Sequence, residues 1–121
     1  MTAFYTIQMS KHRAAKKLNI TLLDTTVKSG NKAFAPEWDW VKAIKAGTMS
    51  EQRYTELYMA KIKYSLKDDI DQWLNLFNHD TLALACYCPD GVFCHRHLLR
   101  DFISRVAKNY NKEFKFKGEI G

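Results

Sequence analysis

All three cysteines of the chain, two of its four histidines and one arginine stand in the run Cys86-Tyr87-Cys88-Pro89-Asp90-Gly91-Val92-Phe93-Cys94-His95-Arg96-His97. Ionised thiols are nucleophiles and metal ligands, and an arginine in a first helical turn offers parallel N–H donors to a phosphate or carboxylate. Cys88 and Cys94 are the candidate catalytic thiols. Cys88 ends an apolar run, and Cys94 stands at a helix start beside His95 and Arg96, where the helix dipole and positive neighbours favour the thiolate. Cys86 reads as a buried small hydrophobe. The spacing departs from that of thiol phosphatases, in which the arginine follows the cysteine by six positions, because Cys94 occupies that place here. Zinc also fits poorly, since residues two apart on a strand point the same way while a zinc knuckle sets its cysteines on a turn. No metal and no cofactor is therefore assigned.

These groups need elements to hold them. The run from Thr81 to Cys88 reads as a buried strand, Pro89-Asp90-Gly91 as a turn, and His95 to about Asn109 as a helix with Leu98, Leu99, Phe102, Ile103, Val106 and Tyr110 on its apolar face. A strand, a tight loop and a helix N-terminus together present free backbone N–H groups to an anion. Cys88, Gly91, Cys94, His95 and Arg96 are the ligand contacts expected from this loop.

A first strand is expected over Ala3 to Gln8 and a second over Ile20 to Thr26, the latter bringing Asp24, Thr25 and Thr26 to the end where open α/β sheets bind ligands. The loop Lys28 to Lys32 follows, with Lys28 or Lys32 for charge and Asn31 for hydrogen bonds. Phe34 and Trp38 offer stacking faces to a base. Trp38, Tyr54 and Tyr58 stand at helical spacings, so each serves either the core or a ligand wall. Pro36 suits a helix start, Gly47 a helix end, and Thr48-Met49-Ser50-Glu51 a capping box opening the next helix. A third helix opens near Asp68, and the alternation from Glu113 to Ile120 predicts an edge strand. Long helical connections between apolar strands imply a mainly parallel sheet with a helical crossover: one small, three-layer, Rossmann-like α/β domain over residues 1–121.

The 121 residues, 46% apolar and 26% charged, carry a net charge of +6. That balance favours anionic partners. The lysines and arginines at Lys11, Arg13, Lys16 and Lys17, and at Lys108, Lys112, Lys115 and Lys117, read as solvated faces. Nucleic acid is compatible with this charge but not favoured, as no recognition motif for it occurs. No apolar run reaches the length of a membrane helix, no signal segment is expected, and an odd number of cysteines suits reduced thiols, so a cytoplasmic protein is expected. Exposed aromatics and a terminal edge strand are compatible with a homodimer.

The Cys-x-Cys and Cys-His-Arg elements, with Ser29-Gly30-Asn31-Lys32-Ala33-Phe34-Ala35-Pro36 and Lys45-Ala46-Gly47-Thr48-Met49-Ser50-Glu51-Gln52-Arg53-Tyr54, resemble the bacterial and phage family catalogued as domain of unknown function four-eight-eight. Phe4-Tyr5-Thr6-Ile7 and Gly118-Glu119-Ile120 resemble it too. The resemblance implies an α/β domain with these motifs gathered at one site. It also implies a setting, since small members without fused domains look like phage accessory proteins, acting in the host cytoplasm to capture or destroy nucleotide-derived immune signals. The expected function is binding of a nucleotide-derived or phosphorylated small molecule at the carboxyl ends of the strands. The alternatives are a cysteine-dependent hydrolase of a phosphoester or glycosidic bond, with Asp24 or Asp90 as acid or base, and a basic domain that binds nucleic acid or inhibits a protein.

Overall fold

A computed structural model describes residues 2–88 and 93–121. Four strands, β1 (Thr2–Gln8), β2 (Thr21–Asp24), β3 (Thr81–Cys86) and β4 (Phe114–Ile120), form one sheet in the order β2-β3-β1-β4. Every pairing is parallel. The helices are α1 (His12–Lys17), α2 (Trp38–Lys45), α3 (Glu51–Asp68), α4 (Ile70–Asn75) and α5 (His95–Asn109). The fold is α/β, a small three-layer domain of Rossmann-like character, and none of its described helices is long and apolar enough to cross a membrane.

The pleat sorts each strand onto two faces. On one face, Phe4, Leu82 and Leu84 pack against Tyr54, Tyr58 and Ile62 of α3, Trp73 of α4, and Leu99, Phe102, Ile103 and Val106 of α5. On the other, Ala83, Ala85 and Ile7 meet Ala15 of the short α1, with Ile20 and Ile120. Large side chains thus hold the layer of long helices, and alanines let the small helix approach closely. With β3 central and covered on both faces, its unbroken apolar run is the pattern a parallel strand requires.

Among the boundaries that differ from expectation, β3 ends at Cys86 rather than Cys88, and three others have local reasons. Glu37 is extended, with ψ of 146°, so α2 starts at Trp38, two residues after Pro36. The cap of α3 is Ser50, whose Oγ accepts from the Arg53 N–H at 3.0 Å, while the Thr48 hydroxyl turns back to donate to the Ala43 carbonyl at the end of α2. β2 stops at Asp24 because that residue's carboxylate accepts from the Thr26 N–H at 2.9 Å and bends the chain.

A bulge in β4 has the largest consequence. Phe4 pairs with Phe116 but Tyr5 with Gly118, and Gly118 has φ of +115°, a conformation that glycine adopts without strain. The extra residue moves the following side chains to opposite faces. Ile120 therefore joins the core beside α1 instead of continuing the face of Phe114 and Phe116, and Glu119 turns toward α5.

Candidate functional site

At the carboxyl ends of β2 and β3, a cavity of about 750 Å³ opens between the loop after β2, the helices α2 and α3, and the start of α5. Its wall is largely apolar: Val27, Pro36, Trp38, Val41, Ile44, Tyr54 and Phe93. Thr26, Lys28, Ser29, Lys45 and Glu51 add polar groups, and Cys86, Tyr87, Cys88, Cys94 and His95 complete the lining. Such a size and balance suit a small molecule with a flat body and few polar anchors.

The aromatic part of the wall is ordered by its own contacts. Tyr54 lies edge-on to Trp40 and Phe93, with ring centroids 6.5 and 5.4 Å away, and stacks on Tyr58 at 6.3 Å. Burial, with the nearby Cys88, holds the Tyr54 phenol well above its usual pKa, so it stays a neutral donor. Trp38, the first residue of α2, is 42% exposed, and the Lys28 ammonium lies 5.3 Å from its ring centroid. A tryptophan left this open at a cavity edge, paired with a cation, is available to a ligand.

The loop after β2 is folded by its own polar groups. Asp24 accepts from the Thr26 N–H, the Thr26 hydroxyl at 2.7 Å and the Ser29 hydroxyl. Burial pushes its carboxyl up, but these bonds outweigh that and hold it below the usual range. Gly30 donates to the Thr26 carbonyl at 3.0 Å, and a Cβ there would lie 2.4 Å from both Thr26 backbone atoms.

His95 and Arg96 begin α5 and are both buried. His95 Nε2 stands 2.8 Å from the Thr25 carbonyl and 2.9 Å from Thr25 Oγ1, which itself donates to the Ala85 carbonyl at 2.8 Å. A carbonyl only accepts, so Nε2 carries the ring proton, and the bare Nδ1 faces Cys94 Sγ at 3.6 Å. Burial drives the His95 pKa down to about 4, with the Thr25 contact opposing and the charges of Arg96 and His97 adding to the drop. The ring is neutral at physiological pH.

Arg96 is fully buried and its guanidinium is satisfied internally. Nη1 donates to Cys86 Sγ and the Cys88 carbonyl, both at 2.9 Å, and Nε and Nη2 donate to Glu119 at 3.3 and 2.9 Å. Burial raises the Glu119 carboxyl, and the Arg96 contacts, with Thr6, more than reverse this and keep it ionised.

Of the residues expected from sequence, Thr26, Lys28, Trp38, Cys88, Cys94 and His95 line the cavity. The others serve elsewhere. Asp24 shapes its own loop, and Thr25 orients His95. Asn31 bonds Gln72 and the Ala33 N–H. Phe34 packs on Trp73 in the core at 4.7 Å, and its carbonyl accepts from the Tyr58 hydroxyl. Arg96 anchors the loop after β3 instead of facing the cavity, because the bulge in β4 brings Glu119 within its reach. Asp90 and Gly91, with the rest of residues 89–92, lie outside the described residues. Lys45, Glu51 and Phe93 were not anticipated. The only sequence signal for the first two was their place at the end of one helix and the start of the next.

Residues 5–107 match the model of the family DUF488-N3a, described as the active DUF488-N3 subclade. The chain belongs to this family. The matched span contains every DUF488-N3a residue that lines the cavity and stops before β4, so Glu119, the ion-pair partner of Arg96, lies outside it. No curated protein and no solved structure matches the chain.

Proposed function

We propose that this cavity binds a nucleotide-derived or similarly phosphorylated small molecule whose ring stacks on Trp38 and whose anionic group meets Lys28 and Lys45. The observation that carries the reading is the juxtaposition of a half-exposed tryptophan and two lysines on an apolar cleft at the carboxyl ends of parallel strands, where open α/β sheets bind ligands. An aromatic face is worth roughly 1–3 kcal/mol to a stacked base. Lysine supplies charge without fixed geometry, which suits a phosphate reached from a flexible stem.

Turnover of the held molecule is a second reading. It is supported by the cysteines that line the cavity and by the word "active" in the description of the matched family.

Calorimetry of the reduced chain against nucleoside mono- and diphosphates and ADP-ribose tests the proposal. One site per chain is expected, weakened roughly tenfold or more by Trp38→Ala and by Lys28→Ala. Absence of binding across the panel, or affinity unchanged in both variants, overturns it. Recovery of the intact molecule after long incubation and denaturation assigns holding without cleavage.

A further inference from the structure

The sulfurs of Cys86, Cys88 and Cys94 all lie within 4.8 Å of one another. Cys86 is the last residue of β3, Cys88 lies just past the strand in a bend, and Cys94 caps α5, so the strand end with its following bend and the helix start turn their thiols to one point. The alternation that argued against a metal does not apply, because Cys88 is not on the strand. The Cys86 and Cys94 sulfurs lie close enough to be paired as a disulfide, yet the Cα atoms are 7.8 Å apart, beyond the roughly 4.4–6.8 Å that a disulfide spans, so the pair reads as two thiols crowded toward one point. Cys88 is a free thiol.

We infer that Cys86, Cys88 and Cys94 form a three-thiolate site for a thiophilic divalent cation, Zn²⁺, with its fourth position open to the cavity. A tetrahedral zinc with bonds of about 2.3 Å sets its sulfurs roughly 3.8 Å apart, inside the 4.8 Å within which these three already lie. The surroundings suit the charge. Three thiolates and one Zn²⁺ leave a single net negative charge, and the Arg96 guanidinium already donates to Cys86 Sγ at 2.9 Å. Hydrogen bonds of this kind orient metal-bound sulfur. Each thiol releases its proton to solvent as its Zn–S bond forms, and no oxidation state changes. All three cysteines line the cavity, and three protein ligands with one open position are the pattern of a catalytic rather than a closed structural zinc.

Cobalt is the probe, because Co²⁺ bound by thiolates absorbs strongly where Zn²⁺ is silent. The full reduced chain, titrated with Co²⁺ under argon, is expected to take up one ion. The spectrum should show the charge-transfer band of three thiolates with tetrahedral d–d bands, and Zn²⁺ should displace the ion. Cys88→Ser changes the most accessible of the three thiols. With an unchanged circular dichroism spectrum, it is expected to lose about a third of that band and to bind at least tenfold more weakly. Three outcomes overturn the inference: a pale octahedral spectrum lacking charge transfer; a Cys86–Cys94 disulfide found by mass spectrometry in protein purified without oxidant; or alkylation of all three cysteines at rates that excess zinc leaves unchanged. Fast alkylation of Cys94 alone, unaffected by zinc, overturns it in favour of a nucleophilic thiol. None of these readouts involves a nucleotide, so failure here leaves the cavity's ligand a separate question.

Discussion

The two loops that leave neighbouring strands at this end of the sheet are built on opposite plans. The loop after β2 closes on itself: Asp24, Thr26, Ser29 and Asn31 bond one another or adjacent backbone, and Gly30 lets the chain approach Thr26 without a side chain. The described residues that flank the loop after β3 are tied from outside, by the Arg96 guanidinium on the Cys88 carbonyl and by Thr25 through His95, and their reactive groups, the thiols, face a common space. A polar residue is free for a ligand only where folding the loop has not already used it. That is why the polar residues of the β2 loop that looked most like ligand contacts fold the loop, while the β3 loop keeps its chemistry available.

Substitutions separate the plans, and the largest effect belongs to Arg96. Arg96→Met strands Glu119 and releases the β3 loop. Removing one partner of a buried ion pair costs roughly 3–5 kcal/mol, and the low end is expected because Glu119 keeps some access to water. Urea unfolding of wild type and variant measures it; a loss below about 1 kcal/mol would show that the loop does not depend on this anchor.

The next effect is one of pH. His95 titrates at about 4 in the folded chain and near its ordinary 6.5 when unfolded, so the unfolded chain takes the proton first. Stability is full above about pH 7 and declines as pH falls from 6.5 toward 4, by roughly 3 kcal/mol at the limit of that shift. Asp24 and Glu119, both held low, add a further loss below their ordinary carboxyl values. Midpoints measured on metal-free protein across this range should show the slope, and His95→Gln should flatten it between pH 6.5 and 5. A slope unchanged in that variant would assign the effect to other groups.

Gly30→Ala attacks the self-closed loop. Its Cβ would meet backbone at 2.4 Å, which no side-chain rotation relieves, and a cost of about 1–3 kcal/mol follows, with loss of the Thr26 and Lys28 positions. Thermal melts check the first consequence and ligand affinity the second. Trp38→Ala lies at the small end for stability, within about 1 kcal/mol because the ring is half-exposed, while ligand affinity drops by roughly 1–3 kcal/mol. Asn31→Ala should leave affinity unchanged, since its amide faces Gln72 and not the cavity.

Much of the fold could be read from local pattern. The apolar run of β3, the stripe on α5 and the alternation of β4 each imposed a period that packing preserved. The bulge at Gly118 was the exception, because one inserted residue reverses every later side chain without altering composition. The site was legible where residues are exposed by position, as with Lys28 and Trp38. It was not legible where a partner comes from far along the chain, as with Glu119 for Arg96 or Gln72 for Asn31. The convergence of the three sulfurs was hidden for a similar reason. It depends on β3 ending at Cys86 rather than at Cys88, a matter of one dipeptide.

The location of the ligand site is the claim on which the rest depends, and amide chemical-shift mapping of this 14.1 kDa chain with the tightest-binding nucleotide tests it directly. The expected shifts fall on Thr26, Lys28, Trp38, Lys45, Tyr54 and Cys88, around one cavity. Shifts gathered instead on Lys11 to Lys17 or Lys108 to Lys117, with the cavity residues unmoved, would contradict it and assign binding to the basic surface.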